Sequence, residues 1–299
     1  MIAYSIPFLC WLFFGATVAG IFGALLGIGG GMFIVPIMVL GFHLPMKYAV
    51  AASIVSVIAT SNAGGSSYVE KRIANIKLAM YLEIFTTFGA IAGAALALHL
   101  AEWLMLLVFA LLTLYMGYGS FTTRNLDEQR IAAGSFNTPP TGTLAKKLDI
   151  HGAYYDQSLK QEVPYHVTGL GLGGIISVLA GLCSGLLGVG GGILKVSAMN
   201  RYMNVPMKVS VGTSKLMIGI TAAVSSLVFF LAGTLHFSLV GPVALGTTLG
   251  ANIGTSIMNR LRSRDLKLVF TVVVLYMSYS MIAKAIQLHW GIHLPSFGA

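Results

Sequence analysis

Residues 27–47 read GIGGGMFIVPIMVLGFHLPMK, and residues 188–208 read GVGGGILKVSAMNRYMNVPMK. Nine of the 21 positions are identical at an offset of 161. The register continues without a gap: Ser53 meets Ser214, and Thr86-Thr87-x-Gly89-Ala90-x-x-Gly93 meets Thr247-Thr248-x-Gly250-Ala251-x-x-Gly254. The chain is a duplication. Each glycine cluster opens an apolar run of only 12 or 13 residues, 193–204 and 32–44. As helices these reach about 18–20 Å at 1.5 Å per residue, too short for a hydrocarbon core of about 30 Å.

The surrounding sequence places these runs in lipid. Of 299 residues, 56% are hydrophobic and 9% charged, with a mean hydropathy of +0.84. Soluble domains carry about 25% charged residues, so the composition argues against a soluble fold, and its low polarity argues against disorder. Eight longer apolar runs suit membrane helices: 5–26, 48–67, 77–98, 103–121, 167–187, 209–232, 238–259 and 268–288. The first has no basic residue before it and reads as a span rather than a cleaved signal. Residues 124–165 are hydrophilic and hold five of the nine acids. The expected organisation is a first transmembrane repeat over 1–123, a connecting loop over 124–165 and a second repeat over 166–299. Cys10 and Cys183 lie in apolar runs and form no disulfide framework.

The net charge of +9 works as a topology signal rather than a nucleic-acid footprint. If the short segments do not change sides, bases divide seven against nine. If each short segment completes a crossing, each half has five segments and the second half is inverted. Fourteen bases then share one side, and only Lys47 and Lys284 take the other. The expected fold is an all-α polytopic membrane protein of two inverted repeats, 5+5 segments, with a short half-helix after each glycine loop. The central loop is then cytoplasmic, and both termini lie outside the plasma (inner) membrane. Internal repeats of this kind mark many secondary transporters.

Glycine loops at membrane depth are tolerated only where buried in protein or lining a wet cavity. Consecutive glycines suit such a place because they admit positive φ and close approach to the backbone. The half-helix N-termini would face inward and favour an anion. The candidate substrate-binding residues are therefore Gly29, Gly30, Gly31, Gly190, Gly191 and Gly192. Close helix packing through glycine is the structural alternative.

Ionisable groups inside the membrane are functional candidates by default. Lys195 stands three residues after Gly192, where it would contact an anion; snorkelling or pairing with Glu83 are its structural alternatives. Lys215 lies about 10 Å deeper than Lys208, beside Thr213 and Ser214, whose hydroxyls can donate to an oxyanion. Ser53, the counterpart of Ser214, and Asn62 complete the candidate set. Glu83 is the candidate proton carrier, or else a structural partner for a lysine.

At these motifs the chain resembles the TauE/SafE family of membrane anion transporters, the sulfite exporters. The resemblance rests on the two glycine clusters, each with Pro-Met-Lys about 14 residues on, and on the repeated Thr-Thr-x-Gly-Ala-x-x-Gly. It implies export of sulfite, sulfonates or related small anions, driven by an ion gradient. No cofactor is expected: the clusters lack the Lys-Ser/Thr ending of a P-loop and the βαβ context of a dinucleotide site. No metal-ligand spacing appears, and no catalytic set suggests an enzyme. The competing reading is a cation or neutral-solute transporter or channel, using Glu83 and glycine-loop carbonyls. The expected partners are a small anionic substrate and the lipid bilayer.

Overall fold

The computed structural model describes residues 5–26, 30–70, 72–122, 136, 148–156, 161–258 and 263–296. Among these residues the first half carries α1 (Ile6–Leu26), α2 (Gly31–Pro36), α3 (Met46–Glu70), α4 (Ile76–His99) and α5 (Glu102–Thr122). The second half carries α6 (Leu170–Leu187), α7 (Gly192–Tyr202), α8 (Met207–Leu231), α9 (Phe237–Met258) and α10 (Ser263–Trp290). Each of the eight long apolar runs, and each of the two short ones, contains a helix. Among the described residues, six helices are long and apolar enough to cross a membrane. Large apolar side chains such as Trp11, Phe14, Phe88 and Leu245 point outward from them, as contact with lipid requires. The protein is an all-α polytopic membrane protein that, among the described residues, also carries one small β-hairpin.

The duplication reaches element boundaries. α2 and α7, α3 and α8, α4 and α9, and α5 and α10 each start 161 residues apart. Both half-helices end alike. His43 (φ 51°) and Asn204 (φ 56°) take left-handed backbone, and the Leu44 and Val205 N–H groups return to Met38 O and Met199 O at 3.1 Å. A left-handed residue after the last turn satisfies orphan carbonyls in this way. The halves differ where Pro36 lies inside α2. Proline supplies no N–H and crowds the preceding turn, and the chain continues as one wide π-type turn, Ile37–Gly41.

Packing is reciprocal between the halves. α1 packs on α9 and α6 on α4, while α3 meets α8 and α5 meets α10. The repeated glycine motif makes the first two contacts close. A Cβ on Gly89 would strike Val178 O, and one on its counterpart Gly250 would strike Thr17 O, itself the counterpart of Val178.

Contacts fix which helix ends lie together. Met46 N–H donates to Glu102 Oε1 (2.8 Å), Lys47 Nζ to Leu98 O (2.6 Å), and Trp103 stacks on His289 at 4.2 Å. Phe8 meets Phe42 at 5.5 Å, so α2 folds back toward the start of α1. α7 likewise folds back toward the start of α6, where Thr168 N–H donates to Met203 O at 3.0 Å.

The connector is more than a solvated loop. β1 (His151–Asp156) pairs antiparallel with β2 (Gln161–His166). Tyr154, Val163 and Tyr165 are buried against Leu78, Leu82 and Met203. Asn75 ties the hairpin to the helices. Its side chain caps α4 by accepting from Leu78 N–H (3.0 Å) and donates to Tyr165 Oη (3.0 Å), while its N–H donates to Thr213 Oγ1 (3.0 Å).

Candidate substrate site

The two glycine loops meet against α3. A Cβ on Gly31 would lie 2.5 Å from Gly188 O and 2.8 Å from a Val57 methyl. Val57 lies 11 residues into α3, about 16 Å along it, so the contact sits near mid-helix depth. Gly30, Gly188, Gly190 and Gly191 all have positive φ, between 40° and 80°, a conformation that glycine adopts without strain. Much of the space around them is filled by protein: a Cβ on Gly191 would lie 2.5 Å from Ala180 O, and one on Gly192 would lie 2.6 Å from an Ile218 methyl. Gly29 lies outside the described residues.

Serines on the two central helices hold these loops. Ser53 Oγ lies 2.8 Å from Gly188 O and 3.3 Å from Gly31 O, and its one proton serves one or the other. In the counterpart position, Ser214 Oγ donates to Gly192 O at 3.2 Å. Thr213 stands apart from the loops: it receives the Asn75 N–H at the hairpin end.

One turn beyond Gly192, Lys195 is fully buried. Its Nζ donates to Thr221 Oγ1 at 2.7 Å and lies 3.8 Å from Glu83 Oε2. Thr221 Oγ1 in turn lies 2.7 Å from Glu83 Oε1 and 2.9 Å from Met217 O, two acceptors for its single proton. An intramembrane acid, base and hydroxyl thus converge from α4, α7 and α8. Sequence reasoning named Lys195 and Glu83 but missed Thr221. Its signal was its place seven residues after Ser214, two turns along the same helix face.

Lys215 is not part of this cluster. Its ammonium lies 5.0 Å from the centre of the Tyr68 ring, a cation–π distance. Its carbonyl accepts from Ser61 Oγ. Asn62 lies within α3, and its side chain is outside the described residues.

A duplicated helical frame, half-helices starting at mid-depth and a buried charged cluster beside them define a membrane transporter. The chain belongs to the sulfite exporter TauE/SafE family, whose model matches residues 12–281. It is 22% identical over 276 residues to the probable membrane transporter protein YunE of Bacillus subtilis (strain 168), covering 90% of this chain and 95% of that one. It is 24% identical over 247 residues to the probable membrane transporter protein YdhB of the same organism, covering 80% and 86%. No solved structure matches the chain.

Proposed function

We propose that the protein is a secondary transporter exporting a small anion, of the sulfite or organosulfonate class, across the plasma (inner) membrane. The observation that carries this reading is Lys195, a fully buried ammonium one turn into a half-helix that starts where the glycine loops meet. A cation in a low-dielectric interior attracts an anion far more strongly than one in water. The two halves act as inverted repeats, with residues 124–165 cytoplasmic and both termini outside. Two observations support this: α2 folds back toward the start of α1, and the bases divide fourteen to two. The cation reading is weaker because Glu83 already faces the Lys195 ammonium, which repels a second cation.

The test is flux in proteoliposomes loaded with sulfite or methanesulfonate, with potassium and a neutral sugar as comparison solutes. Saturable anion flux, lost in Lys195→Met, is the expected result. Flux of potassium or sugar alone would overturn the reading.

A further inference from the structure

We infer that the Glu83–Lys195–Thr221 cluster binds an oxyanion together with one proton, so that anion and proton cross as a neutral pair. This rests on the transporter reading above and assigns its coupling: the outward gradient of the anion, not the proton gradient, then drives export.

The cluster holds unused hydrogen-bonding capacity. Lys195 has three N–H donors and no exposure, yet among the described residues its ammonium makes one hydrogen bond, to Thr221. Glu83 Oε2 is buried without a hydrogen-bond partner, and the ammonium 3.8 Å away is too far to donate one. Buried polar atoms are ordinarily satisfied. Here donors and an acceptor are left over at one spot inside the membrane.

Charge decides what can fill it. As the pair stands, Glu83 neutralises Lys195. A bare anion would leave two negative charges against one positive in poorly screening surroundings, which is costly. An anion that arrives with a proton leaves one charge of each sign. The proton sits on Glu83, whose O–H then donates to the monoanion, methanesulfonate or hydrogensulfite. The ammonium then donates to substrate oxygens and Thr221 remains the bridge.

The duplication shows that the fold does not need this ion pair. The counterparts of Lys195, Glu83 and Thr221 at the offset of 161 are Ile34, Ala244 and Thr60. Ile34 is as deeply buried as Lys195. The same frame packs there with no charge at all, and a buried ion pair is in any case weak evidence for stability. Lys195 is the group whose charge acts on Glu83 directly. The other ionisable groups on elements packed against α4 are Cys183 on α6, Lys208 and Lys215 on α8, Arg201 and Tyr202 on α7, and the histidines, tyrosines, Asp156 and Glu162 of the hairpin. No bond from any of these reaches the carboxyl among the described residues.

The experiment uses the full chain in proteoliposomes, with sulfite and methanesulfonate as probes and a pH dye inside. Methanesulfonate carries no proton of its own at neutral pH, so any proton that moves with it travels on the protein. One proton per methanesulfonate and a methanesulfonate flux insensitive to membrane voltage are expected. In Glu83→Gln the acid is permanently neutral, so anion affinity should lose its pH dependence and concentration of the anion by a pH gradient should fall at least tenfold. If neither probe moves or binds, the transporter reading fails and this inference falls with it. If the anions move without protons and respond to voltage, the inference alone is overturned. Should Glu83→Gln fail to fold, the wild-type proton count and voltage response decide.

Discussion

Lys195 and Glu83 separate what the buried pair does for folding from what it does for substrate. Lys195→Met strands the Glu83 carboxylate in the interior, and removing one partner of a buried pair costs about 3–5 kcal/mol. Lys195→Met with Glu83→Gln removes both charges and should recover most of that loss. Anion affinity should not recover: both variants bind sulfite at least tenfold more weakly, about 1.4 kcal/mol. Lys195→Arg keeps the charge with altered geometry and should retain part of the binding. Thermal melting in detergent and calorimetric titration with sulfite check these outcomes. A double variant that binds like wild type would leave Lys195 with only a structural role. Gly31 is the second test at this scale. In Gly31→Ala the new methyl meets Gly188 O at 2.5 Å and Val57 at 2.8 Å, and overpacking of this kind costs about 1–3 kcal/mol. The melting temperature should fall accordingly. An unchanged melt would mean the two loops separate at little cost.

Among the elements, the apolar runs were legible because length and hydropathy alone settle a membrane helix. The half-helices were legible too, since a run of 12 or 13 residues after a glycine cluster has no other way to lie in lipid. Their direction was written less plainly. That α2 and α7 fold back on α1 and α6 follows from contacts such as Phe8 with Phe42, which no periodicity announces. The hairpin was not legible: its strands are six residues each, and their buried members, Tyr154, Val163 and Tyr165, are spaced among charged and turn-forming neighbours. The role of the repeated Thr-Thr-x-Gly-Ala-x-x-Gly was also hidden, because the surface its glycines approach belongs to the other half. The hairpin docks on α4, α7 and α8, the same helices that carry Glu83, Lys195 and Thr221. Tyr165→Phe removes the hydroxyl that receives the Asn75 amide. The loss of one such hydrogen bond is worth about 0.5–1.5 kcal/mol, so the variant should melt slightly lower. Proteolysis within the hairpin should become faster, read by gel after limited digestion; equal rates would show that packing, not this bond, holds it down.

At the scale of the whole molecule, reciprocal packing makes each half incomplete without the other, since α1 finds its close partner in α9 and α6 in α4. The pair of helix bundles is built so that the glycine loops from both halves touch, and only one of the two equivalent positions has acquired charge. This division suits a carrier in which one half moves against the other around a fixed site. It also requires opposite faces for the connector and the termini. Trp103 and His289 stack at the end that holds the start of α5 and the end of α10, whereas Tyr165 and Asn75 mark the opposite end. Single cysteines make the arrangement measurable. Cys10 and Cys183 are first replaced by alanine. Tyr155→Cys and Ile292→Cys then place one thiol on the exposed face of the hairpin and one beyond α10, at positions 60% and 55% exposed in the native chain. An impermeant thiol reagent added to intact cells should label position 292 and spare position 155 until the membrane is opened. The reverse pattern would invert the protein in the membrane, and labelling of both from outside would remove the odd number of crossings on which the inverted arrangement depends.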